Sequence, residues 1–280
     1  ATLLKSRFRA IRTLYSGGKA WLPRTYAISS MNTLYMDYLR NGADEDLLHY
    51  SKVLKFYEDV YDTVKGNSDR PPTFTAHMLA WQVAGLEDNP LFSAEDRARA
   101  ARLIRRIGED TMNFWEMREP MKLYDTNKTA YLTNHPIFAS RTSYFCGEYL
   151  LHRYHYAPAK YWMAAAAQAM KGIEPHPIGP EDAPGYHHLC TTIFIDYALA
   201  SGNYDMSFFH KPSMQDYFHY TKAQWAQTMR TIGYGDTSPM GGGGETNLDL
   251  SVRLQVGNVD IVVGSIANQT RDKCPFEVMG

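Results

Sequence analysis

The chain has 280 residues, 44% apolar and 21% charged, enough to bury a substantial core in one large domain or in one domain with part of a second. A net charge of −1 argues against the overall basicity of many nucleic-acid binders, and no apolar run reaches the roughly 18 residues of a membrane span. Cys146, Cys190 and Cys274 form neither a disulfide framework nor a CxxC pair; the first two sit in apolar helical runs, as buried thiols do.

The chain opens on Ala without a signal peptide, as a processed secreted or periplasmic protein or an excised domain would. Before Asp37 it carries Lys5, Arg7, Arg9, Arg12, Lys19 and Arg24 and no acid. Residues 1–27 therefore read as a basic N-terminal segment, either simply solvated or an arm that attracts an anionic polymer.

From about residue 28 apolar positions recur at helical spacing. Met31, Leu34, Tyr35, Tyr38 and Leu39 make one face of a helix that Asn41-Gly42 stops. Asp44 caps the next, with Leu47, Val53, Leu54, Tyr57 and Tyr61 on its face and Gly66 at its end. Pro71-Pro72 precedes a third through Met78, Leu79, Trp81 and Val83. Ser93-Ala-Glu-Asp96 is a capping signature for a fourth, through Leu103, Ile104, Ile107, Met112 and Trp115. Two more are expected near 136–156 and 158–171, another near 186–201, and a last from Ser213 to about Met229.

Helices thus come in pairs beginning near 28, 73, 136 and 186, with short turns and no strict residue repeat. The expected fold is mainly α: antiparallel helix hairpins forming an incomplete (α/α) toroid over 28–232. Residues 233–245, with glycines at 241–244, read as a linker. That glycine run lacks the Lys-Ser/Thr of a phosphate loop. Over 246–280, Leu248, Leu250, Val252, Leu254 and Val256 alternate with polar residues, and Val259–Val263 follows the turn signal Gly257-Asn258. This predicts a short C-terminal β-hairpin or the start of a β-sheet domain.

Two segments carry chemistry. Asn134-His135 precedes Pro136 at one helix start, and Tyr186-His187-His188 follows Pro184-Gly185 at another. Helix starts favour anions, and in a toroid such starts line one end of the funnel. An amide and an imidazole there can hold a carboxylate, stabilising the charge that develops when the neighbouring proton leaves. A Tyr can take that proton as phenolate and return it to a leaving oxygen. Its ordinary pKa, about 10, calls for a nearby cation, which Arg141, His187 or His188 can supply. This is what β-elimination from a uronic acid requires, and it needs no metal or organic cofactor.

The order Asn134-His135, then Glu181-Asp182-Ala183-Pro184-Gly185-Tyr186-His187, then Gly233-Tyr234-Gly235-Asp236 resembles that of heparinase II/III-like and alginate-lyase-like polysaccharide lyases. The resemblance implies an α/α toroid followed by antiparallel β-sheet domains, of which 246–280 would be the beginning. It also implies that Asn134 neutralises the substrate carboxylate beside His135 and that Tyr186 is the acid/base. His187 would assist, and His188, Arg141, Tyr144, Trp81, Trp115 and Asp236 are candidate substrate contacts. The expected partner is an acidic polysaccharide, with neither nucleic acid nor membrane involved. Two alternatives stand beside it. One is a glycoside hydrolase pairing Glu181 or Asp182 with Asp236; the other is a non-catalytic acidic-glycan-binding scaffold with an aromatic groove. A metal site from His176, His187, His188 and Cys190 matches no common zinc spacing.

Overall fold

A computed structural model describes residues 21–61, 71–177, 184–202 and 206–224, with the short stretches 252–256 and 259–263. The described residues are mainly helical. The basic residues before Trp21, the linker with Asp236, and the acids Glu181 and Asp182 lie outside them.

Local chemistry sets most helix boundaries. Helix α1 (Trp21–Asn41) starts earlier than the expected 28 and ends at Gly42, whose φ of 64° and N–H bond to the Tyr38 carbonyl (2.7 Å) are those of a left-handed C-terminal cap. Helix α2 (Asp44–Tyr61) opens with Asp44, Glu45 and Asp46, whose charges offset the positive end of the helix dipole. Its buried stripe, Leu47, Tyr50, Leu54, Tyr57 and Tyr61, keeps a spacing of three to four residues. Helix α3 spans Ala76–Leu86. Helix α4 (Ala94–Asn113) begins with a full capping box: the Ser93 hydroxyl accepts from the Asp96 N–H (3.1 Å) and the Asp96 carboxylate from the Ser93 N–H (3.3 Å).

The chain divides into two compact units, residues 1–129 with 135–169, and 130–134 with 170–280. In the first, α1 packs on α2 and α3, and α4 on α2 and α3. Polar ties fix these packings. Buried Tyr50 donates to the Gln82 side-chain oxygen (3.2 Å), and the Gln82 amide donates to Asn32 (2.9 Å), so one chain of hydrogen bonds joins α1, α2 and α3. Tyr61 donates to Asp110 (3.0 Å), and Glu58 accepts from Arg99 and Arg102, joining α2 to α4. Helices α6 (Asn134–Tyr154) and α7 (Ala159–Met170) follow, and a Cβ at Gly108 of α4 would sit 2.3 Å from the Trp162 ring. The second unit holds α8 (Pro184–Ser201) and α9 (Pro212–Gln224), with Phe194, Phe208, Phe209 and Phe218 meeting ring to ring.

The expected fourth helix differs in an instructive way. It does not run through Trp115: Phe114 is extended (φ −83°, ψ 151°), Trp115–Met117 forms a single 3-10 turn, and α5 covers Arg118–Asp125. Pro120 explains the break. A proline ring clashes with the carbonyl four residues earlier, here that of Glu116, so it is accommodated in a helix's first turn and not in its interior.

Two stability outcomes follow. Ser93→Ala removes the hydroxyl half of the capping box, leaving the backbone N–H of residue 93 to donate to Asp96, and lowers unfolding stability by about 1 kcal/mol, read from the midpoint of urea denaturation. Gly108→Ala forces its methyl group into Trp162 and costs about 1–3 kcal/mol, with a loss of near-ultraviolet circular dichroism from the displaced indole.

Candidate functional site

Because the chain turns sharply after Asn113, Glu116 points into the first unit rather than along a helix surface. It is 1% exposed. A carboxylate that deep costs several kcal/mol unless donors surround it. Those around Glu116 include the His135 ring, with Nδ1 3.0 Å from Oε1, and the Thr73 hydroxyl, 3.3 Å from Oε2. Thr73 is placed by the Pro71-Pro72 turn and accepts from the Thr142 hydroxyl of α6 through its carbonyl (2.9 Å). His135 is the second residue of α6, and its side chain is 41% exposed against 0% for that of Glu116.

Aromatic rings border the imidazole. Phe74 meets it edge-on at 5.7 Å between centroids, and Trp115 lies tilted at 6.3 Å. Trp115 is 53% exposed, so an indole face remains at the rim beside a histidine held on a buried acid. Such a rim suits a sugar ring, whose C–H face packs on the aromatic surface.

The other expected site residues are divided between the two units. Arg141 is drawn into the interior, where its guanidinium donates to the Phe74 carbonyl (3.3 Å) and lies 5.4 Å from the Phe138 ring. Tyr144 is buried against the edge of Phe145. Trp81 is exposed on α3 and packs edge-on against Tyr35 of α1. Asn134 is the half-buried first residue of α6, and Tyr186 is half-buried in the first turn of α8. Both belong to the second unit, whereas His135 belongs to the first. His187 and His188 are on α8, with their side chains outside the described residues. Among the described residues no three His, Cys, Asp or Glu side chains gather as a metal ion would require, and no helix is long and apolar enough to cross a membrane.

Glu116, Thr73 and Phe74 are the site residues that sequence reading missed. A signal for Glu116 was present in Pro120, which forbids a continuous helix from Ser93 onward. Nothing local marks Thr73, whose role depends on an acid 43 positions away.

Beneath the site, His77 rests near Phe145 (6.2 Å), with its Nδ1 atom buried. Burial, and then the positive charge of Arg141, hold its pKa well below the ordinary value for histidine. Cys146, buried in α6, has its thiol pushed up to about 12 by desolvation, and is a packing residue rather than a nucleophile.

No protein-family model matches this chain, and neither a curated protein nor a solved structure matches it.

The depressed pKa of His77 makes stability depend on pH. The folded protein keeps the ring neutral, while the unfolded chain takes up a proton near pH 6.5, so the unfolded state binds more protons below that pH. Stability falls from about pH 6.5 downward, by at most about 1.4 kcal/mol per pH unit from this group. His77→Phe flattens that slope, as measured by urea unfolding at a series of pH values between neutral and mildly acidic.

Proposed function

We propose that this chain is the helical part of a polysaccharide lyase that cleaves a uronic-acid-containing glycan by β-elimination. The observation that carries the reading is His135: a half-exposed imidazole at the start of α6, held on a buried carboxylate and bordered by an exposed indole. The resemblance in the order of Asn134-His135 and Tyr186-His187 adds to it.

In this reading Asn134 and His135 hydrogen-bond the uronate carboxylate and take up the charge that forms as the C5 proton leaves. Tyr186, as phenolate, accepts that proton. The C5–H electrons form the C4–C5 double bond, the C4–O bond breaks, and Tyr186 returns the proton to the departing oxygen. His187 assists, and Trp115 with His188 and Asp236 contact neighbouring sugars. Arg141 supports the Phe74 backbone beside the site, and Arg141, His187 or His188 supplies the positive charge that Tyr186 needs. No metal or cofactor enters the step.

The reading carries an architecture with it: helix hairpins closed partway into an α/α toroid, and a β-hairpin or the beginning of a β-sheet domain after the linker. The first is supported by helices starting at Trp21, Ala76, Asn134 and Pro184, near the four expected pair starts. The second is supported by the antiparallel register that sets Val252 opposite Val263 and Val256 opposite Val259. An acidic polysaccharide substrate implies a secreted or periplasmic setting.

Incubation with a panel of alginate, heparan-type, hyaluronan and ulvan chains is expected to release an unsaturated sugar, followed by its ultraviolet absorbance. Asn134→Ala and Tyr186→Phe should each lower turnover by about a hundredfold or more. Saturated products would point to hydrolysis instead, and binding without any product to a glycan-holding scaffold; either outcome ends the lyase reading.

A further inference from the structure

We propose that Glu116 is the positioning residue of His135: it commits the Nδ1 proton inward, so that Nε2 is the ring atom that meets substrate. This deepens the lyase reading, but its physical basis is independent of the substrate.

A free neutral imidazole in water prefers to carry its proton on Nε2. At position 135 the surroundings reverse that preference. An ionised carboxylate only accepts hydrogen bonds, and Oε1 of Glu116 stands 3.0 Å from Nδ1. A lone pair on Nδ1 would face that negative charge at hydrogen-bond distance, inside a region that is 0% exposed at the Glu116 side chain. The proton therefore belongs on Nδ1, in the neutral and the cationic ring alike.

Rotation of the carboxylate does not undo this. Its other oxygen accepts from the Thr73 hydroxyl at 3.3 Å, and Thr73 is itself tied to α6 through Thr142. The Phe74 and Trp115 rings pack against the imidazole and restrict its rotation. Tautomer and orientation are thus fixed before any ligand arrives, which is the usual service of a carboxylate behind a working histidine. When the ring is doubly protonated, Glu116 lies on its inner side and the uronate on its outer side, so both hydrogen bonds are charge-assisted.

The test reads the tautomer directly in the full-length protein. Long-range proton–nitrogen NMR correlations of the histidine rings, with His135 assigned through His135→Gln, distinguish a protonated from an unprotonated ring nitrogen. The neutral His135 ring is expected to show Nδ1 protonated and Nε2 bare. In Glu116→Ala the pattern should reverse toward Nε2–H, and in Thr73→Val, which keeps the carboxylate, it should stay as in the unaltered protein. An Nε2–H ring in the unaltered protein overturns the proposal, and this result does not depend on whether Glu116→Ala folds. An unchanged pattern in a folded Glu116→Ala protein overturns it as well. If the tautomer is as expected but no unsaturated sugar forms from any polysaccharide, the lyase reading fails while the role of Glu116 stands.

Discussion

A carboxylate cannot lie in a protein interior without donors, and His135 and Thr73 are among those that Glu116 meets. His135 and Thr73 come from separate parts of the chain, yet both reach the same anion. Removing either would leave buried charge undercompensated, a change that commonly costs a few kcal/mol. The start of α6, the turn after Pro71-Pro72 and the segment between α4 and α5 are therefore bound to a single point. The half-exposed imidazole is the outward end of that arrangement, and the exposed Trp115 ring is its border.

The same economy recurs elsewhere in the first unit. Apolar stripes supply the bulk of the stabilisation through area removed from water, but they do not choose a register between helices. Tyr50, Gln82 and Asn32 do, because a slide of one helix turn would leave buried polar atoms unmatched. Tyr61 on Asp110, and Glu58 between Arg99 and Arg102, fix α2 on α4 by similar means at a more exposed level. The phenol of Tyr149 on Glu87 ties α6 to the end of α3. Helices held this firmly can present a side chain at a defined angle, which a working histidine requires.

The residues proposed for catalysis fall on both sides of a structural division. His135 and its supports belong to the first unit, and Asn134 and Tyr186 to the second. The lyase reading thus asks two different things of the chain. The first unit supplies a fixed imidazole and an aromatic rim, and the second supplies an amide and a phenol at helix starts. Local chemistry favours both starts, since Pro136 and Pro184 have the backbone angle that a first helical turn needs.

Much of the helix plan was legible in sequence because its causes are local. The Ser93 capping box, Gly42 at a left-handed cap and the acidic first turn of α2 act within a few residues, and the apolar spacing of α2 and α4 shows which faces are buried. Those features marked the end of α1 and the starts of α2 and α4, whereas α5 was missed because its Pro120 signal competes with an unbroken apolar pattern through Met112 and Trp115. The side chains around His135 were another matter. Whether Arg141 reaches a cleft or turns inward to Phe74, and whether Glu116 is solvated or buried, depends on which distant backbone lies opposite. Sequence by itself determined a set of paired helices with an amide and imidazole at one start and a phenol at another. Only the tertiary structure decided that a buried acid stands behind the imidazole, because the energy of a charge depends on the atoms packed around it and not on its neighbours along the chain.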